Sequence, residues 1–545
     1  MMIPKRHKAL IPFLVATIGL LALGCPAQPE TVMVEMRDGA RLATDVHLPE
    51  GDGPFPTVLS RTPYGRGMMH PELQRLHDAG FAIVMQDVRN TGESDHFEDI
   101  PLFAADAWGD QKDGYDTVEW VAEQDWSNGR VGTWGISAPA MTQVLMAGSG
   151  PPHLEAQHIG LACSDLFGQA IFQGNGYRQQ LADTWITGVT GRLDYVKGWF
   201  YEHRESAAVR STYDITEAAG SAHAPALHWG GWYDIFGQGT IDAFTALQYQ
   251  GGEGARGNQR LIMGPWPHGI ANHNDEVQYP HEALLPPGMD VIEWMRWWLD
   301  PTGGEPTDIP PEWPPVAYFT MGAWDEPDAP GNEWRFSEDW PIPATDTPFH
   351  LNGGGRLSLE PPVEPHAVTY LFDPEEPVPT IGGANLFLAK GPMDQREVEA
   401  RDDVIVFETE VLEEPIEVTG RVTARLWVSS DAPDTDFTAK LTDVYPDGRS
   451  LLVCDGIARA RYRRGFQTEE LLEPGEVVEV EVDLWSTSLI FNAGHRIRLA
   501  VSSSNYPRFA ANPNNGTDQG PPRTATNALH FGPERPSALI LPVVE

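Results

Sequence analysis

Cysteine is scarce in this sequence. Only three occur in 545 residues, at positions 25, 163 and 454, and none forms a CxxC pair. That spacing gives no disulfide framework and no thiolate metal site, so Cys163 and Cys454 read as buried, inert thiols. Lysine is scarce as well, at positions 5, 8, 112, 197, 390 and 440 only, and 78 acidic residues bring the formal net charge to −41. Such a surface repels phosphate backbones and argues against a nucleic-acid partner. An acidic, lysine-poor surface fits a salty habitat or an exported protein equally. There is no Gly-rich phosphate loop, no cluster of metal-ligating residues, no internal repeat and no low-complexity tract. No cofactor is implied.

Long apolar runs are missing too. Leu10 to Leu23 is too short to span a bilayer comfortably, and Lys5, Arg6 and Lys8 precede it. Residues 1–25 therefore read as a secretory signal. It ends Leu21-Ala-Leu-Gly-Cys25, which resembles a bacterial lipobox with Leu and Ala in swapped order. The expectation is export, as a cell-envelope lipoprotein or a secreted or periplasmic protein. Any membrane contact would run through a lipid anchor on Cys25.

What is present is a globular composition, 41% hydrophobic with 54 Gly, 48 Pro and 18 Trp, long enough for two or three domains. Thr31–Met36 alternates as a strand, Asp38-Gly39 signals a turn, and Ala40–Leu48 returns as a second strand. Short apolar runs at Pro56–Ser60, Phe81–Met85, Val131–Trp134, Ala226–Gly230 and Arg260–Met263 read as buried strands. Helical stretches at Pro71–Ala79, Gly114–Gln124, Ala140–Ala147 and Val291–Leu299 separate or follow them. The alternation predicts a mostly parallel sheet covered by helices over 30–162 and 223–305. Residues 163–222 lack β-runs and read as a helical cap. After the Pro-rich stretch Pro301–Pro315, residues 315–545 read as an all-β sandwich such as a jelly roll. Val477–Leu484 there alternates strictly.

The chemistry concentrates in Val131-Gly-Thr-Trp-Gly-Ile-Ser-Ala-Pro-Ala140. A strand runs into a sharp turn with Ser137 at its tip and a helix behind it, as in a nucleophile elbow. A serine hydroxyl needs a base, and the base needs an orienting acid. Asp234 follows one expected strand in Gly230-Gly-Trp-Tyr-Asp234, and His268 follows the next in Gly264-Pro-Trp-Pro-His268. The order Ser, Asp, His at three strand ends is that of an α/β-hydrolase. His273 is the local rival for the base. Trp229, Trp232, Trp266, Trp294, Trp297 and Trp298 either line an acyl pocket or pack the core. Asp87 and Arg89 read as structural, and Asp113 and Asp116 as helix caps.

Further motifs surround these: Arg61-Thr-Pro-Tyr-Gly65, Gln86-Asp-Val-Arg89, Thr91-Gly-Glu-Ser94, Asp113-Gly-Tyr-Asp-Thr-Val-Glu-Trp120, Trp126-Ser-Asn-Gly-Arg-Val-Gly132 and Gly391-Pro-Met-Asp-Gln-Arg396. In this order they resemble the cocaine-esterase-like (CocE/NonD) serine hydrolases, relatives of the Xaa-Pro dipeptidyl-peptidases and α-amino-acid ester hydrolases. The resemblance implies an α/β-hydrolase domain with a helical cap and a C-terminal jelly roll. It implies a triad of Ser137, Asp234 and His268, with the Tyr64 hydroxyl and the Ala138 backbone N–H as oxyanion hole. Two departures stand out. The family's Ser-Tyr-x-Gly is Ser137-Ala-Pro-Ala140 here, and Asn90 stands where Gly is usual. The expected activity is hydrolysis of small-molecule esters, with acyl amides or N-terminal dipeptides as alternatives. A non-catalytic surface lipoprotein with a binding jelly roll is the rival from another class.

Overall fold

The computed structural model describes residues 29–98, 101, 103–271, 276–284, 286, 288–300 and 314–545. The expected leader over 1–25 and the rival base His273 lie outside these residues. No helix among the described residues is long and apolar enough to cross a membrane.

The chain opens with an antiparallel pair, β1 (Glu30–Glu35) and β2 (Arg41–His47), joined through the turn at Asp38-Gly39. Then come β3 (Phe55–Thr62), α1 (Pro71–Asp78), β4 (Ala82–Asp87), α2 (Asp113–Ala122), β5 (Ser127–Ile136), α3 (Ala138–Ala147) and β6 (Leu154–Gly160). Every residue of β4 is buried, as expected for a parallel strand covered on both faces. Pro71 opens α1, where its missing N–H costs nothing, and Leu73 and Leu76 face the core. Asp113 and Asp116 do not cap α2, contrary to expectation. Asp113 is its first residue and pairs with Arg89 at 2.6 Å, while Asp116 pairs with Arg37 at 2.6 Å.

The segment expected to be a purely helical cap contains a small hairpin, β7 (Phe172–Gln173) with β8 (Gly176–Tyr177). Its helices are α4 (Gln179–Thr190), α5 (Leu193–His203), α6 (Ala207–Arg210) and α7 (Ile215–Ala218). The hairpin packs on the C-terminal half: Arg459 N–H donates to the Gly174 carbonyl at 2.9 Å. It forms where the cap meets another chain segment, a contact that local pattern does not encode.

The sheet resumes with β9 (Ala226–Gly231), α8 (Gly237–Gln250), β10 (Arg260–Gly264) and α9 (Val291–Leu299). It does not end at the Pro-rich stretch. β11 (Val316–Thr320) pairs in parallel with β10, and β12 (Glu333–Ser337) pairs antiparallel with β11. The ten strands run β1-β2-β4-β3-β5-β6-β9-β10-β11-β12. The division expected at residue 315 therefore falls inside the sheet, because β10, α9 and β11 form one parallel crossover unit. A second, eleven-stranded sheet begins at Thr345 and ends at Val543. One apolar core joins the two, running from Trp232 and Phe319 to Leu499 and Leu541.

Candidate active site

Directly after β5 comes Ser137, which takes φ 62° and ψ −125°, a region that non-glycine residues rarely adopt. The strain is held by hydrogen bonds on both sides. Ser137 N–H donates to the Gly160 carbonyl at 2.9 Å, and the Ser137 carbonyl accepts from Ala140 and Met141. The turn is so tight that a Cβ on Gly135 would lie 2.5 Å from the Pro139 carbonyl carbon, so only glycine fits there. Ala138 begins α3, and among the described residues no acceptor meets its N–H. That donor is one of the orphans of a helix N-terminus, where the macrodipole favours negative charge.

The Trp232-Tyr233-Asp234 run is anchored residue by residue. Trp232 Nε1 donates to the Phe319 carbonyl at 2.7 Å, and the Tyr233 hydroxyl donates to the Leu452 carbonyl at 3.0 Å. Asp234, fully buried, is left to meet His268: Nδ1 to Oδ1 is 2.5 Å. Beside it Arg178 is fully buried and donates to the Ile235 carbonyl at 2.9 Å. Burial pushes the Arg178 guanidinium down to about 9; Arg508 adds to this, and the negative charge of Asp234 opposes it. His268 stands on a loop braced by Trp266, whose ring fills space that a Cβ on Gly264 would occupy. His268 Nε2 lies 2.8 Å from Ser137 Oγ. Ser137, His268 and Asp234 thus form one connected chain across three strand ends.

Tyr64 follows β3. Behind it Arg61 is buried and paired with Asp106 and Gln86, which fixes the strand end. Pro63 has no N–H, and the Tyr64 N–H is taken by Thr62 Oγ1 at 3.1 Å. Its backbone therefore offers no donor, but its hydroxyl does. The hydroxyl accepts from Trp185 Nε1 at 2.8 Å, and β3 pairs in parallel with β5, so Tyr64 follows the strand next to the one that leads into Ser137. Burial raises the phenol above its usual value, and the neighbouring Trp185 and Ser137 pull the other way. The ring itself is half open to solvent.

An apolar chamber opens beside Ser137. Phe103, Met141, Trp185, Phe200, Phe236 and Ile186 contribute to its wall, as does Ala138, and among the described residues no charged side chain does. The six tryptophans singled out from the sequence lie elsewhere. Trp232 packs one core, Trp229, Trp266, Trp294 and Trp298 pack another with Trp297 against it, and Trp229 also borders a second cavity that His268, Trp134 and His158 line. Sequence reasoning missed Trp185, because nothing local distinguishes it from other cap aromatics.

The outer motifs are scaffolding. Asp87 accepts from the Arg66 N–H and side chain at 2.7 and 2.8 Å, and Arg89 bridges Asp38 and Asp113. Asn90 takes φ 68°, a conformation asparagine tolerates better than most residues, which explains why it can stand in a glycine's place. Cys163 and Cys454 are free and buried.

Comparison with known proteins places the chain in a family. The model of the X-Pro dipeptidyl-peptidase (S15) family matches residues 38–195 and 192–270, and that of the X-Pro dipeptidyl-peptidase C-terminal non-catalytic domain matches 311–540. The cocaine esterase of Rhodococcus sp. (strain MB1 Bresler) is 35% identical, over 94% of this chain and 98% of the esterase. An α-amino acid ester hydrolase structure superposes with a TM-score of 0.79 at 24% identity, covering 98% of this chain and 100% of the other. An aminopeptidase from a marine sediment Thaumarchaeota archaeon also gives 0.79 at 24%, covering 98% and 99%. These last two show the shared fold.

Proposed function

Because this chain belongs to the serine hydrolase family of the cocaine esterase, we propose that it cleaves carboxylic esters of apolar acyl groups through an acyl-enzyme, with Ser137 as nucleophile, His268 as base and Asp234 as the residue that orients the base. The observation that carries this is the connected chain Asp234–His268–Ser137 at 2.5 and 2.8 Å, opening on an uncharged chamber.

In this reading His268 Nε2 takes the Ser137 proton as Oγ bonds to the ester carbonyl carbon. The carbonyl oxygen gains the negative charge and is met by the Tyr64 hydroxyl and the Ala138 N–H. His268 then gives its proton to the departing alkoxide, and the acyl group stays on Ser137. Water attacks next, losing its proton to His268, and the acid leaves as Oγ recovers a proton. Asp234 holds His268 Nδ1–H throughout.

The chamber favours esters over N-terminal dipeptides. A free α-ammonium in an apolar wall needs a carboxylate partner, and among the described residues none lines this space. Loss of the family's Tyr at Ala138 leaves the backbone donor in place and widens the acyl side.

The test is covalent labelling with a fluorophosphonate probe, followed by a panel of p-nitrophenyl acyl esters against α-aminoacyl and Xaa-Pro anilides. Labelling at Ser137 and faster turnover of the neutral esters is the expected result. Unlabelled protein would favour the non-catalytic surface-lipoprotein reading, and preference for the free-amine substrates would favour the peptidase reading.

A further inference from the structure

We propose that Trp185, through its indole N–H, is a positioning residue that orients the Tyr64 hydroxyl toward the developing oxyanion and so couples the cap to the oxyanion hole. This rests on the reading of Tyr64 as an oxyanion donor.

A phenol hydroxyl can rotate, and half of the Tyr64 ring is open to solvent, so packing alone does not fix its direction. The Trp185 Nε1–H reaches the phenolic oxygen at 2.8 Å. An indole nitrogen only donates, so the Tyr64 oxygen must accept, and its own hydrogen must point elsewhere. β3, which leads into Tyr64, runs parallel beside β5, which leads into Ser137, so the nucleophile's turn is the neighbour toward which a freed O–H can point. Accepting a hydrogen bond also polarises the phenol and makes it a stronger donor. Trp185 is itself held in place: it lies on α4 and stacks on Phe103 at 5.8 Å between ring centres. The same ring walls the acyl chamber. One side chain of the cap therefore touches both the acyl space and the donor. A cap displaced from the sheet would loosen the hole as well as the pocket.

Two substitutions separate the two roles. Trp185→Phe keeps an aromatic wall and deletes the N–H. Trp185→His keeps a five-membered ring whose Nε2 overlies the indole nitrogen, and deletes the outer ring. For a p-nitrophenyl ester, Trp185→Phe should lower kcat roughly three- to tenfold, the worth of one neutral hydrogen bond, with KM nearly unchanged. Trp185→His should raise KM and largely keep kcat. In a Tyr64→Phe background, Trp185→Phe should cost less than about twofold more, because the group it orients is gone. An equal loss in both backgrounds, or no loss of kcat in Trp185→Phe alone, overturns the inference while leaving Tyr64 as donor. Full activity in Tyr64→Phe alone instead removes the premise. Melting temperature and fluorophosphonate labelling of each variant report folding, and Trp185→His carries the kcat–KM split should Trp185→Phe fail to fold.

Discussion

His268 Nε2 and Ser137 Oγ lie 2.8 Å apart although 131 residues separate them in the chain. The contact exists because β5 and β10 end on the same side of one sheet, with β6 and β9 between them. Groups linked this way act as a unit. Ser137→Ala should therefore lower ester turnover on the order of 10³-fold or more, His268→Ala should match it, and the double variant should be no worse. Asp234→Asn should cost roughly 10³–10⁴-fold by favouring the wrong His268 tautomer. Steady-state kinetics on p-nitrophenyl butyrate checks all four, and near-normal turnover in Ser137→Ala would sink the assignment.

Tyr64→Phe keeps the ring and removes the hydroxyl. A donor aimed at developing charge is worth about 10²–10³ in kcat. KM should barely move, and a phosphonate should still label Ser137 more slowly. The phenol is raised above its usual value by burial. A raised value means the proton is kept to higher pH, so kcat should not decline through pH 10 through ionisation of Tyr64. A decline near pH 9 that vanishes in Tyr64→Phe would contradict this placement.

Ala138 lines the chamber, and its N–H faces the reacting carbonyl in the proposed mechanism. Ala138→Leu should leave the donor intact and shrink the acyl space. Activity on bulky aromatic esters should drop by about tenfold or more, the range set by overpacking costs of roughly 1–3 kcal/mol, and acetyl esters should suffer less. Equal losses on both substrate sizes would show that the chamber does not receive the acyl group.

Asp214 sits in the cap near Asp165, and burial, reinforced by the charge of Asp165, raises its carboxyl to about 6. A folded value above the unfolded one means the charged form costs stability. That cost is absent well below the unfolded value of 3.8, grows as pH rises through the interval, and is complete above about 6. Asp214→Asn keeps an acceptor for the Thr216 N–H, bonded at 3.0 Å. It should raise the melting temperature by a few degrees at pH 7.5 and progressively less toward pH 4. A gain independent of pH would contradict the shift.

Export through the leader is proposed on its charge and length. Cys25→Ser should release the protein from the membrane fraction of a bacterial host or block its maturation. Unchanged fractionation, with cleavage after another residue, would indicate plain secretion.

The sequence by itself determined the local units and their chemistry. Buried parallel strands announce themselves as short apolar runs, and α9 spans Val291–Leu299 as its pattern predicts. The turn at Ser137 is written in its neighbours, because Gly135 has no room for a Cβ and Pro139 can begin a helix. Asp234 and His268 could be placed at strand ends from their motifs, since strand and turn are decided by residues close in sequence. Tertiary structure decided everything that depends on which distant segments meet. It carried the first sheet past the Pro-rich stretch to β12, set Asp113 against Arg89 rather than at a helix cap, and sent the conspicuous tryptophans into the cores. It also laid Trp185 of the cap against Tyr64, 121 residues away. Periodicity records which face of an element is buried, but not which partner buries it, and that pairing is fixed only when the whole chain packs.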